Sequence, residues 1–244
     1  MNRAYWDAQA DAWDDAIFNS LREDTAGVIR RAIRAAARAH ASVLDFGCGV
    51  GGYLPFLSET FAEVHAVDWS AACVARARHV AGRCDNVRVE RNTPAVVRRL
   101  RGRFGALVAA NVVIHPRRRV RAQVLSTIRS LVAPGGTVLL VVPSLESATY
   151  CEAMRRRVAS RARSPYDFAP RGVHGEPGVV SIDRVPTKHY TADELRLVMD
   201  EAGLPLRRVQ RVPYRWSTEG LRVPRALAEP GPWDWLVIAE RPRR

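Results

Sequence analysis

The sequence is poor in several features that indicate particular classes of protein. Its four cysteines, Cys48, Cys73, Cys84 and Cys151, are spaced neither like the ligands of a zinc site nor like a disulfide framework. Lysine is almost absent, because Lys188 is the only one among 38 lysine and arginine residues. We therefore expect free thiols, no metal centre and no disulfide scaffold.

Long apolar runs are also missing. The most apolar stretches, ALVAANVVI and TVLLVV, are far too short to span a bilayer. The first residues, MNRAYWDAQADAWDD, are acidic and lack the basic start and apolar core of a signal peptide. We therefore expect no membrane helix and a cytoplasmic location.

What remains is the composition of an ordinary soluble domain with a strong positive charge. The 244 residues are 47% hydrophobic and 26% charged, which suits one domain with a full core. A net charge of +13 is able to attract nucleic acid or an anionic small molecule, but a bias toward arginine explains it equally well. The densest basic cluster, residues 116–132, has apolar residues at helical spacing and no interleaved aromatic residues, which favours a solvated helix face over an RNA-binding surface.

Strands and helices alternate along most of the chain. The predicted strands are 42–47, 63–70, 86–93, 104–114, 137–143, 206–212 and 233–240. The predicted helices are 26–40, 53–61, 71–81, 95–101, 116–132, 148–161 and 191–204. This alternation favours an α/β fold with a doubly wound parallel sheet, and the last two strands favour an antiparallel hairpin at its edge.

Capping residues mark several helix starts. Thr25, Ser70 and Thr93 each precede a predicted helix, where a hydroxyl oxygen accepts a hydrogen bond from a free backbone N–H. Thr191 and Glu194 have the spacing of a capping box, in which each side chain binds the backbone of the other residue. The turn APGG separates the basic helix from the fifth strand.

Polar residues follow four of the predicted parallel strands. Asp45 with its glycines, Asp68, Asn92 and Asn111 all fall at carboxyl ends of strands. Ligands of doubly wound sheets bind at this edge. The joint placement of these residues therefore predicts a cofactor cleft.

The stretch VLDFGCGVGG carries the most specific motif. Gly47, Gly49 and Gly52 satisfy G-x-G-x-x-G, a weak pattern that would permit a dinucleotide site. The better match is D-x-G-x-G-x-G, from Asp45 to Gly51, with an acid at the end of the next strand. In these residues the chain resembles the class I methyltransferases that use S-adenosyl-L-methionine. The APGG turn and KHYTADELRLVMDEAGL extend the resemblance, which covers residues 41–144 well and 188–240 loosely.

The resemblance implies a Rossmann-like, mostly parallel seven-stranded sheet with an antiparallel last strand, and S-adenosyl-L-methionine as cofactor. The glycine loop would bend under its amino-acid part, and Asp68 would accept hydrogen bonds from both ribose hydroxyls. Asn92 stands where the family usually has an acid near the adenine amino group, and Asn111 lines the methionyl side. The implied cofactor-binding residues are Asp45, Gly47, Cys48, Gly49, Gly51, Asp68, Trp69, Asn92, Thr93, Asn111 and Val112.

Residues outside the motif are candidates for chemistry and for acceptor binding. His115 is the candidate general base, because a neutral imidazole is able to take a proton near pH 7; packing on the cofactor or capping the next helix is the alternative. The aromatic residues Tyr5, Trp6 and Trp13 fold over the cofactor and substrate in similar methyltransferases. The insertion adds further candidate pocket residues, which are Tyr166, Arg171, His174 and His189.

These expectations give one domain of four parts. Residues 1–40 would cover the cofactor site, 41–144 would form the core, 145–189 a lid with substrate residues, and 190–244 the last helix and strands. We expect methyl transfer to an O or N atom of a small, possibly anionic acceptor, by a monomer or homodimer. The alternatives are an RNA methyltransferase, which the net charge favours, and a non-catalytic cofactor-binding scaffold.

Overall fold

The structure, a computed structural model, describes residues 3–10, 13, 17–158, 176–182 and 185–243. The strands of its main sheet are β1 (Ser42–Phe46), β2 (Glu63–Asp68), β3 (Val87–Arg91), β4 (Phe104–Ala110), β5 (Val132–Pro143), β8 (Leu206–Pro213) and β9 (Trp233–Glu240). A separate hairpin is formed by β6 (Val179–Ile182) and β7 (Val185–Lys188).

Helices connect these strands. Those of the first half are α1 (Arg3–Gln9), α2 (Ser20–Glu23), α3 (Val28–Ala39), α4 (Leu54–Thr60), α5 (Ala71–Ala81) and α6 (Pro94–Arg99). Those of the second half are α7 (Arg118–Leu131), α8 (Leu145–Val158) and α9 (Ala192–Glu201), with 3-10 turns at Trp216–Glu219 and Arg225–Leu227.

The seven strands of the main sheet lie in the order β3-β2-β1-β4-β5-β9-β8. The first five are parallel, and β9 pairs antiparallel with both β5 and β8. The predicted α/β fold with a mostly parallel sheet and an antiparallel last strand is confirmed. The last strand lies between β5 and β8, and β8 forms the edge. The carboxyl ends of β1 to β5 therefore meet at one side of the sheet.

The core consists of apolar layers on both faces of the sheet. Val43 of β1 packs with Ile33 of α3 and Leu57 of α4, whereas its neighbour Leu44 packs on the opposite face with Ile128 of α7. These side chains are fully buried. A buried side chain of this size contributes about 1.5–3 kcal/mol. Burial on both faces fixes the register of the central strands, and with it the position of the residues at their ends.

The helix caps partly follow the sequence prediction. The hydroxyl oxygens of Ser70 and Thr93 accept hydrogen bonds from the backbone N–H groups of Cys73 and Val96, at 3.1 and 3.3 Å. Thr25 does not cap α3, so this prediction was wrong. Its hydroxyl donates to the carbonyl of Pro213 at 3.0 Å, and the Asp24 carboxylate accepts from Ile29 N–H at 2.7 Å instead.

The capping box before α9 is only half as predicted. The Thr191 hydroxyl accepts a hydrogen bond from Glu194 N–H at 3.1 Å. The Glu194 carboxylate does not return to the cap but forms an ion pair with Lys188 Nζ at 2.6 Å. Lys188 is only 1% exposed and also donates to the carbonyl of Pro177 at 2.8 Å. A buried ammonium needs such partners, so the carboxylate serves the hairpin rather than the cap.

Two strands, β4 and β5, differ most from their predicted boundaries. β4 ends at Ala110, short of the predicted residue 114, because Asn111 has a φ of +55° that ends the extended conformation. APGG does not precede β5 but lies within it. The register of β5 against β4 shifts there, and Gly135 has a φ of +78°.

The predicted lid is described only in part. It contains α8 and the hairpin of β6 and β7, which was not predicted. Tyr166, Arg171 and His174 lie outside the described residues. The four cysteines are free, as predicted. Within the described part of the chain, no helix has the length and apolar character needed to cross a membrane.

Candidate active site

A cleft lies at the carboxyl ends of β1, β2 and β4, where the sequence predicted it. The predicted site residues that line it are Trp6, Trp13, Asp45, Gly47, Cys48, Asp68, Trp69, Asn92, Asn111, Val112 and His115. Aromatic and aliphatic side chains form much of the remaining wall. The parallel sheet therefore brings together residues from the four strand ends and from the N-terminal segment.

The loop after β1 approaches its surroundings too closely for side chains. Gly47 has a φ of +79°, and a Cβ placed on it would lie 2.5 Å from Cγ2 of Val112. Gly49 has a φ of +54°, and its Cβ would overlap the ring of Trp13. Glycine is therefore required at both positions by conformation and by space.

Asp68 is a buried carboxylate that holds this loop. It is 7% exposed, and its two oxygens accept hydrogen bonds from Gly49 N–H at 3.0 Å and Ser70 N–H at 2.8 Å. Burial raises its pKa above the ordinary value, although these two backbone N–H groups act to lower it. Each carboxylate oxygen has a further lone pair, so Asp68 is able to accept ligand hydroxyls as well.

Asp45 and Asn111 supply oxygens without partners. Oδ2 of Asp45 and Oδ1 of Asn111 are buried, and neither has a hydrogen-bond partner among the described residues. Burial, and then the charge of Asp68, raises the pKa of Asp45 to about 7. An unsatisfied buried polar atom costs about 1–3 kcal/mol. Both residues line the cleft, so a bound donor that reaches these oxygens, and a cationic one above all, would remove this cost.

His115 lies in the loop between β4 and α7. Its Nδ1 accepts a hydrogen bond from Arg117 N–H at 3.1 Å, and its carbonyl oxygen accepts from Arg121 Nη1 at 2.8 Å. Burial lowers the pKa of His115, and the positive charges of Arg117 and Arg121 add to this effect. A nitrogen that accepts from a backbone N–H carries no proton, so the neutral ring has its proton on Nε2.

The family described as methyltransferase domain matches residues 21–209 of the chain. This match covers more than half of the sequence, including the glycine loop and both buried carboxylates. The chain belongs to the class I S-adenosylmethionine-dependent methyltransferases. The predicted family, enzyme class and cofactor are thereby confirmed.

Solved structures of similar fold include several methyltransferases. The Burkholderia thailandensis 1,6-didemethyltoxoflavin-N1-methyltransferase is 20% identical, with a TM-score of 0.61 over 98% of this chain and 87% of that one. The magnesium protoporphyrin IX methyltransferase from Synechocystis PCC 6803 with bound SAH is 15% identical, with a TM-score of 0.61 over 98% and 97%. DhpI in complex with SAH is 18% identical, with a TM-score of 0.62 over 99% and 96%. No curated protein matches the methyltransferase in sequence.

The N-terminal segment of the methyltransferase lies against the cleft. The ring centroids of Trp6 and Trp13 are 5.8 Å apart, and both side chains line the wall. The Asp7 carboxylate accepts a hydrogen bond from Ser70 Oγ at 2.5 Å. Arg76 of α5 donates to the carbonyl of Ala10. The segment is thus anchored next to Asp68, at the start of α5.

Some predicted site residues of the methyltransferase have other surroundings. Gly51 packs against Leu54 and Ala77, and Thr93 caps α6. Tyr5 stacks edge-on against Trp6, with centroids 5.0 Å apart. His189 is 5% exposed and binds the carbonyl of Thr187 at 3.0 Å. These residues support the cleft or the hairpin and are not part of the described cleft wall.

Other cleft residues were not predicted. Ile17, Phe18 and Asn19 line it from the segment before α2, together with Ser20 at the start of α2 and Tyr53. The hydroxyls of Ser20 and Tyr53 lie 2.9 Å apart. Asn19 caps α2, because its side-chain oxygen accepts a hydrogen bond from Leu21 N–H at 3.1 Å. An Asn at this position is a helix-start signal that is visible in the sequence. The pairing of Ser20 with Tyr53 has no local sequence signal.

Proposed function

We propose that this methyltransferase transfers the methyl group to an O or N atom of a small organic acceptor. The observation that carries the proposal is the wall of the cleft. Trp6, Trp13 and Phe18 enclose it beside the unpaired oxygens of Asp45 and Asn111. An enclosed, largely apolar space suits a small molecule better than a polymer.

The described residues fit the cofactor. In the proposed arrangement the carboxylate of Asp45 and the carbonyl of Asn111 receive the cofactor's ammonium group, and Asp68 receives the ribose hydroxyls. Asn92 and Trp69 also line the cleft, and in the proposed arrangement they lie beside the adenine. The bound cofactor supplies an electrophilic methyl carbon on a sulfonium sulfur. The protein then has to align the acceptor atom and exclude water.

The similar structures support a small acceptor. Two of them are, by name, methyltransferases of 1,6-didemethyltoxoflavin and of magnesium protoporphyrin IX. We propose a small acceptor for this methyltransferase as well, with residues 1–40 and 145–189 as the parts that cover it.

The net charge of +13 would favour an RNA acceptor instead. Among the described residues that line the cleft, however, none is lysine or arginine. Phosphate contacts supply most of the affinity of proteins for RNA, and they come chiefly from these residues. The lysine and arginine residues that the structure describes therefore lie outside the cleft wall, and the small acceptor is the better proposal.

The test is transfer of a labelled methyl group from S-adenosylmethionine into a fractionated cell extract. We expect label in the small organic fraction, in an amount that added salt changes little. Label in RNA that declines steeply with salt would favour the RNA methyltransferase. The Asp68→Ala variant is the control, because label that persists with it cannot depend on the proposed ribose site.

A further inference from the structure

The loop from Asn111 to Arg117 is held by an unusual number of contacts from distant parts of the chain. Asn111 N–H donates to the carbonyl of Val141 at 2.9 Å. The carbonyl of Val113 accepts from the hydroxyl of Tyr190 at 2.6 Å, and the carbonyl of Ile114 accepts from the N–H of Lys188 at 2.9 Å. The loop is thus fixed by β5, by β7 and by Tyr190, two residues before α9.

These contacts also fix the ring of His115. Its carbonyl is bound by Arg121, a side chain that is 9% exposed, and its Nδ1 is bound by the N–H of Arg117. Nδ1 therefore faces the start of α7. Nε2 is the remaining nitrogen of a side chain that lines the cleft. In the neutral ring Nε2 carries the proton and is a donor.

This arrangement favours hydrogen-bond donation over proton abstraction. A general base needs a free lone pair directed at the acceptor. In His115 the lone pair is on Nδ1 and is used by the backbone N–H of Arg117, 3.1 Å away. The lowered pKa of His115, caused mainly by burial, keeps the ring neutral and the proton on Nε2.

Among the described residues, the cleft wall has no lysine or arginine that could pair with a negatively charged acceptor. Phe18, Ile114 and Val124 line it together with Trp6 and Trp13. Arg121, a buried cation, donates to the carbonyls of His115 and Pro116 and lies 3.8 Å from a carboxylate oxygen of Glu176. The expected anionic acceptor depended on arginines of the insertion such as Arg171, which lies outside the described residues.

We propose that the acceptor is an uncharged aromatic molecule with a hydrogen-bond-accepting ring atom, and that Nε2–H of His115 donates to this atom. The inference rests on the proposed function and deepens it. His115 then determines the orientation and the choice of acceptor. The methylated atom is a second atom of the acceptor, because the lone pair that accepts from Nε2–H is not free to attack the methyl carbon. It must already carry its own free lone pair when it meets the cofactor, as a heteroaromatic nitrogen does.

The test uses three probes of one shape with the protein saturated with S-adenosylhomocysteine. Isoquinoline has a ring nitrogen that accepts a hydrogen bond, naphthalene has none, and 2-naphthoate adds a negative charge. Binding is measured by ligand-observed NMR above pH 7, where isoquinoline is neutral. We expect isoquinoline to bind about three- to tenfold more tightly than naphthalene, the effect of one hydrogen bond. 2-Naphthoate should bind most weakly.

Two variants separate donation from simple packing. His115→Leu should abolish the preference for isoquinoline over naphthalene, because it keeps apolar bulk and has no donor. His115→Gln should retain most of the preference, because its amide N–H donates from about the same distance but is not basic.

The outcomes are distinct. If S-adenosylhomocysteine does not bind at all, the proposed function is wrong. If it binds but no probe does, if 2-naphthoate binds best, or if His115→Leu keeps the preference, the proposal for His115 and its acceptor is overturned. Equal binding of isoquinoline and naphthalene to the unaltered protein overturns it too.

Discussion

The two sides of the cleft are built in different ways. The cofactor side comes from the ends of adjacent strands, where Gly47, Gly49 and Asp68 are set by local backbone conformation and by the sheet. The acceptor side joins the N-terminal segment, the loop of His115 and the residues before α2. We expect substitutions on the cofactor side to cause large losses of affinity, because its polar contacts are buried. The second depends on contacts between distant segments, and we expect changes there to have smaller, graded effects.

The largest effect is expected at the carboxylate of the cofactor side. Asp68→Ala removes the acceptor of the proposed ribose hydroxyls and of Gly49 N–H, so S-adenosylhomocysteine affinity should decrease by about 100-fold, as for two hydrogen bonds to a charged group. Isothermal titration calorimetry measures it. Asp85→Ala, at an exposed position, is the control and should bind normally. Equal affinities of the two variants would contradict the assignment.

A substitution at Gly49 tests whether the loop requires glycine because a side chain would clash with Trp13 or only because of its positive φ. Gly49→Ala places a methyl group against Trp13 in a φ of +54°, so affinity should decrease by about tenfold or more. Gly102 is the matched control, because its φ is +63° and nothing lies within 4 Å of its added Cβ. Gly102→Ala should cost a little stability and leave affinity unchanged. Reduced affinity in both would show that strain alone is responsible.

Asp45 should make the stability of the folded protein depend on pH. Its pKa of about 7 lies above the value of 3.8 for an exposed carboxyl, so the folded protein holds a proton that the unfolded chain releases. The free energy of unfolding contributed by this group is therefore fully present below about pH 4 and is lost as pH increases toward 7. Asp45→Asn should raise stability by about 1–3 kcal/mol at pH 8 and change it less at pH 5.

Urea unfolding without cofactor at these two pH values measures this effect. Asp45→Asn should also remove the decrease in S-adenosylhomocysteine affinity that protonation of the carboxylate causes below pH 7. A variant that is less stable at pH 8 would contradict the burial of an unpaired charge at this position.

The smallest effect is expected on the acceptor side. Asp7→Asn weakens the hydrogen bond from Ser70 Oγ that anchors the N-terminal segment, so affinity for S-adenosylhomocysteine should decrease by about threefold. Asp193→Asn, a change to a side chain that is 99% exposed, is the control. A loss as large as that of Asp68→Ala would remove the distinction between the two sides.

The same distinction explains what the sequence could predict. The caps Ser70 and Thr93 accept hydrogen bonds from backbone N–H groups three residues further along the chain, so the local pattern was sufficient to predict them. Asp45 and Asp68 were identified by the glycine motif and by the position of each acid at the end of a strand. Thr25 was predicted as a cap but binds Pro213, which is distant in the sequence and near only in the folded chain.

The features that were missed depend on contacts that form only in the folded chain. Glu194 has the spacing of a capping box, yet the buried ammonium of Lys188, on β7, competes successfully for its carboxylate. The contact of Ser20 with Tyr53 joins residues 33 positions apart. The tautomer of His115 follows from one backbone N–H, whose direction depends on how the loop is fixed. No pattern of residue types contains this information.

Because Lys188 is buried, its reactivity can be used to follow the opening of the hairpin of β6 and β7. It is the only lysine, and its amine is enclosed by Glu194 and the Pro177 carbonyl. Acylating reagents attack only an accessible, unprotonated amine, so they should spare this side chain while the hairpin of β6 and β7 is docked. The rate at which Lys188 becomes acetylated would therefore measure how often the hairpin detaches from α9.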